Sequence, residues 1–149
     1  MTMRWMIAAI FLFAGTAVPA LAGPKEDALQ VLEKWTKAFT DSDVDGIVAL
    51  YAPDALFIGT ASKAVVDQPG PVRAYFERAL LSNRPRTARL DSESILVISD
   101  SVVAVSGLDT ITAVRDGKPV TAHGRVTFVV AKRGGDWKIV QFHRSPMPE

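Results

Sequence analysis

Between Arg86 and the C terminus lie four long β-rich segments, parted only by Ser99-Asp100-Ser101, Arg115-Asp116-Gly117 and Gly134-Gly135-Asp136. Asp, Ser and Gly accept the bends and positive φ angles of tight turns. Connections this short join antiparallel neighbours, because a parallel crossover needs about a dozen residues or more. The second half of the chain is thereby committed to an antiparallel meander. The first half has another period. Ala28, Val31, Leu32, Trp35, Ala38 and Phe39 recur at three- and four-residue spacing and mark one helical face. Pro24, with Glu26 and Asp27 behind it, suits that helix's start.

Asp41-Ser42-Asp43 ends this helix and caps a second, with Val44, Ile47, Val48 and Tyr51 on its face and Pro53 as its stop. Ala55 to Ile58 reads as a strand. Pro69-Gly70-Pro71 opens a third helix with Val72, Tyr75, Phe76, Ala79 and Leu80 on its face. Helices segregated before an antiparallel sheet give an α+β class. A long, twisted sheet curling around three helices would form a cone with an open mouth.

The N terminus carries an address. One positive charge, Arg4, precedes an apolar stretch from Ile7 to Val18, then Pro19 and the small-x-small pattern Ala20-Leu21-Ala22. This is the layout of a cleavable secretory signal spanning residues 1–22, with a mature domain over residues 23–149. The stretch is shorter than the ~20 apolar residues of a spanning helix. The expected destination is the periplasm or the medium, with no membrane association after cleavage. Arg4 is the only charge before Gly23, so 17 basic and 16 acidic residues become 16 of each. A neutral domain has no electrostatic footprint for nucleic acid. The chain has no Cys, which excludes disulfides and thiol chemistry. Two His without acids at ligand spacing make a zinc site a weak idea, and no cofactor is expected.

The C-terminal run Arg133-Gly134-Gly135-Asp136-Trp137-Lys138-Ile139-Val140-Gln141-Phe142-His143-Arg144-Ser145, with Pro148 behind it, resembles the last strand of the association domain of calcium/calmodulin-dependent protein kinase II. Gly117, Pro119-Val120-Thr121-Ala122, Thr127-Phe128-Val129 and Gly70-Pro71-Val72-Arg73-Ala74-Tyr75-Phe76-Glu77 extend the likeness. The resemblance implies a cone of the nuclear transport factor 2-like superfamily, with three N-terminal helices packed in a strongly curved antiparallel sheet. Glycine-rich, His-Arg-Asp and Asp-Phe-Gly kinase motifs are absent from the sequence.

In that kinase domain three arginines in the pocket bind small carboxylates. The resemblance carries one over as Arg144 and puts Leu108 and Phe128 at the other two positions. The expected pocket is apolar with a single cation, with Trp35 and Tyr51 reaching its wall. His123, Arg125, Trp137, Gln141 and His143 are expected on the opposite sheet face, which relatives use to pair subunits into a homodimer or larger ring. Asp109, mid-strand in Ser106-Gly107-Leu108-Asp109-Thr110, has two readings. It is either a general base, as in the superfamily's isomerases and cyclases, or the partner of an arginine such as Arg125. The function expected first is an exported, non-catalytic, oligomeric ligand-binding domain. The alternatives are a cofactor-independent isomerase or cyclase using Asp109, and a purely structural hub whose pocket Leu108 and Phe128 close.

Overall fold

The computed structural model describes residues 23–149, so the signal reading on residues 1–22 lies outside the described residues. Three helices, α1 (Pro24–Asp41), α2 (Val44–Val48) and α3 (Pro69–Leu81), accompany five strands. The strands are β1 (Tyr51–Ile58), β2 (Arg86–Ser99), β3 (Val102–Arg115), β4 (Lys118–Arg133) and β5 (Asp136–Pro146), in the spatial order β1-β5-β4-β3-β2. The meander β2 to β5 is antiparallel throughout, as the tight turns require. β1 adds to its free edge in parallel with β5, which makes the sheet mixed.

α1 buries the six residues that the helical period marks. Ser42 ends it in the left-handed region at φ 58°, and the Asp43 carboxylate caps α2 by accepting from the Gly46 N–H. α2 is shorter than its apolar spacing predicts. The Leu50 carbonyl accepts from the Ile139 N–H of β5, so the sheet has taken this backbone before Tyr51 is reached. Tyr51 therefore opens β1 instead of closing α2. Pro53 sits within this edge strand, where a missing N–H is tolerated, and the pairing slips between Tyr51 and Leu56.

The core is aromatic at its centre. Trp35 stacks on Phe39 and Phe142 and meets Phe128 edge-on, while Phe57 stacks on Phe142 at 5.1 Å. The Trp35 Nε1–H donates to the buried Tyr51 hydroxyl at 2.9 Å. That bond satisfies the indole donor out of water. Burial raises the Tyr51 hydroxyl well above its ordinary pKa, against the opposing pull of the Trp35 hydrogen bond.

Two of the irregularities in the pairing re-aim strands that face the helices. On β2 the register slips between Leu90 and Ser92, leaving Asp91 as an extra residue. On β5 it slips opposite Val129 and Val130, leaving Val140 extra. Such bulges bend a strand and increase its twist. They also invert which residue numbers face the helices. Gly107 of β3 accommodates the first bulge, because a Cβ there would meet the Ser92 carbonyl oxygen at 2.0 Å. Gly107→Ala is expected to lower stability by about 1–3 kcal/mol, read by chemical denaturation of the full chain. Gly70→Ala, where a Cβ meets nothing within 4 Å, should change it by less than about 1 kcal/mol.

Candidate functional site

A cavity of about 370 Å³ opens between the C-terminal half of α1, α3 and the β3–β4 end of the sheet. Trp35, Phe76 and Phe142 form its aromatic floor. Tyr75, Asn83 and Thr121 bring polar groups to its wall, and Arg86, Arg115 and Arg144 bring guanidinium groups. No acidic side chain lines it among the described residues.

Arg144 is buried at this wall and already engaged. Its Nε and Nη2 donate to Asp109 Oδ2 and Oδ1 at 2.7 and 2.8 Å, a bidentate pair. Nη1 donates to Thr60 Oγ1 at 2.8 Å, and Nη2 also reaches the Ala122 carbonyl at 3.4 Å. Asp109 and Arg144 are the only buried charged residues among those described, 3% and 7% exposed. The pair spans β3 and β5 across Gly124 of β4, which faces Asp109 on one side and Pro146 on the other. A Cβ on Gly124 would lie 2.6 Å from both Arg144 Nη2 and Asp109 Oδ1. Glycine is what lets the pair lie flat on the sheet.

Asp109 thus has an arginine partner, though not Arg125, which is exposed on the other face. Leu108 does not line the cavity; it is 41% exposed on the outer face, paired with Arg125. The reason is register. β3 pairs with β4 through Leu108 and Arg125, or Asp109 and Gly124, so an even number opposes an odd one. Parity therefore does not carry across this hairpin, and inward residues on β3 are odd while those on β4 are even. Phe128 and Tyr51 are buried in the core beneath the cavity rather than on its lining, whereas Trp35 does line it.

His123, Arg125 and His143 are exposed on the outer face, and Gln141 is half-buried there. Trp137 is not with them. The Val140 bulge turns Ile139 and Trp137 toward the helices, and the Trp137 Nε1–H donates to Asp27 of α1 at 2.9 Å. On the outer face Thr110 Oγ1 donates to Asp91 and lies 3.0 Å from His123 Nδ1. The Thr110 hydrogen bond, helped by Arg89, holds the Asp91 carboxyl below its ordinary pKa.

Residue patterning alone does not single out Arg86, Thr60, Asn83 or Arg115. One signal for Arg86 is present in the sequence. It is in phase with Ala88 and Leu90, which pack on the core before the bulge, so a cation stands where the strand's alternation calls for an apolar side chain.

Breaking the pair from one side leaves a buried charge. Arg144→Met is expected to cost about 3–5 kcal/mol, and Asp109→Leu added to it should recover most of that loss. Denaturation midpoints of both single variants and the double variant measure the coupling; additive losses would show that the two charges do not depend on each other.

Residues 28–149 match the model of the SnoaL-like domain family. Among solved structures, a calcium/calmodulin dependent protein kinase II association-domain candidate from Xanthomonas campestris superposes with a TM-score of 0.78 at 26% identity, covering 94% of this chain and 99% of that one. A nuclear transport factor 2-like superfamily protein from Salmonella enterica serovar Typhimurium gives 0.74 at 20% identity, over 84% and 92% of the two chains. A scytalone dehydratase candidate from Novosphingobium aromaticivorans gives 0.72 at 12%, over 82% and 83%, a likeness of fold alone. The α+β nuclear transport factor 2-like fold expected from the sequence is the fold these structures share, and the chain belongs to the SnoaL-like domain family.

Proposed function

We propose that the protein is an exported binding domain that holds a small amphipathic anion in the cone cavity without transforming it. The observation that carries this reading is the division of charge at the cavity. Its lining has guanidinium groups and no carboxylate among the described residues, while both oxygens of Asp109 are taken by Arg144. A general base must reach its proton within hydrogen-bond distance, and Asp109 is not on the lining. The geometry thus favours binding over proton abstraction by Asp109. A purely structural hub has less support as well, since Leu108, one of the two residues expected to close the pocket, lies on the far face.

An apolar cavity of a few hundred Å³ with a few polar groups is the usual form of a small-molecule site. Export is supported by the N-terminal pattern, and assembly by the outer face. That face carries His123, Arg125 and His143 beside hydroxyl pairs such as Ser106 with Thr127 and Thr87 with Thr112. The Xanthomonas structure's description as an association domain supports self-assembly here too.

A thermal-shift panel of aryl and alkyl carboxylates tests the cavity. Stabilisation of the full chain is expected, and Ala79→Trp, which fills the cavity from α3, should abolish it. A response that survives this substitution would move the binding site elsewhere. Native mass spectrometry is expected to find at least a dimer at micromolar concentration, and a monomer there would remove the assembly reading.

A further inference from the structure

Arg86 stands apart from the other cations of the cavity. Arg144 is neutralised by Asp109, and Arg115 is exposed at the mouth. Arg86 is half-buried at the start of β2 and belongs to none of the ion pairs among the described residues. Its Nε and Nη1 are buried and have no hydrogen-bond partner among them either. The guanidinium carbon lies 4.5 Å from the centre of the Phe39 ring, a cation–π contact that offsets part of the desolvation. It supplies no acceptor for the N–H groups.

A buried polar group is ordinarily hydrogen-bonded, and a buried charge ordinarily paired. Where one side chain breaks both habits at the wall of a cavity, a ligand is the natural source of the missing acceptor. We infer that Arg86 recognises the head group of the cavity's ligand, and that the ligand is an aromatic or alicyclic monocarboxylate. This rests on the reading of the cavity as a binding site. Its ring fits against Trp35, Phe76 and Phe142, and its carboxylate accepts from Arg86 in the planar geometry that a guanidinium favours.

One charge is what the buried part of the wall calls for. Arg86 is the lining's half-buried guanidinium outside every ion pair among the described residues, whereas Arg115, likewise outside them, is exposed to water at the mouth. Burial pulls the Arg86 guanidinium below its ordinary pKa, the direction a desolvated cation without a neighbouring carboxylate takes. It keeps its charge at neutral pH.

The test uses protein expressed from the full chain, titrated calorimetrically with 2-naphthoate and with uncharged 2-naphthamide. Wild type is expected to bind the carboxylate about 10- to 100-fold tighter than the amide. Arg86→Met should erase that preference while keeping the amide's affinity, and Arg86→Lys should restore part of it. Without a probe, Arg86→Met should melt no lower than wild type, because it removes a desolvated charge and keeps the contact with Phe39. A lower melting temperature would make Arg86 a structural residue and overturn the assignment. If both probes bind but Arg86→Met leaves the preference intact, the assignment to Arg86 falls and the cavity reading stands. If neither probe binds wild type, the cavity reading falls and takes the assignment with it.

Discussion

A carboxylate from β3 and a guanidinium from β5 meet out of water across a glycine of β4, and much of the sheet's inner surface is arranged around that meeting. Asp109 and Arg144 can join only because Gly124 leaves the space between them open. Taking both charges out of water costs several kcal/mol per ion, which their attraction repays only with good geometry. Here the geometry is bidentate, and Thr60 and Ala122 take further guanidinium hydrogens. A pair of this kind adds little net stability over a well-packed apolar substitute. What it does is penalise other registers. Sliding β5 against β4 by one residue would put Arg144 on the outer face and leave Asp109 buried alone.

The same pair determines what chemistry the cavity can hold. An arginine with both of its bidentate donors committed to an aspartate is a poor receptor for another carboxylate. An aspartate with both oxygens accepting is a poor base. The resemblance to an arginine-lined pocket directs attention to Arg144, and in this chain that arginine spends its donors within the fold. Any anion recognition is left to a cation from a different strand.

Much of the fold was legible because it depends on local periods. The face of α1, the Asp43 cap, the start of α3 and the three hairpin turns each need only a few neighbouring residues to be read. The misplacements concern non-local pairing. Leu108 falls outside because the β3–β4 turn sets an odd residue against an even one. Trp137 turns inward because Val140 is an extra residue on β5, and Tyr51 joins a strand because the sheet edge takes the backbone at Leu50. The first two are each a matter of one residue in register, and a one-residue slip exchanges the faces of a strand. Alternation within a strand is visible in a sequence; the phase between strands is set by the turns and by bulges, and the bulges leave only faint marks such as Gly107.

Arg86 was legible in principle, since it stands in phase with Ala88 and Leu90 and breaks their apolar pattern. Its meaning was not, because a charge at a strand's first residue reads equally as a solvated end. What separates the two is tertiary: α3 and the loop of residues 82–85 bring Ala79 and Asn83 to the same cavity, and Phe39 of α1 lies against the guanidinium. The two arginines then occupy opposite energetic positions. Arg144 is fully paired and serves the sheet's register. Arg86 has a π face beneath it and no acceptor beside it among the described residues. A fold whose core is otherwise apolar and satisfied tolerates one such side chain when something other than the fold supplies its partner.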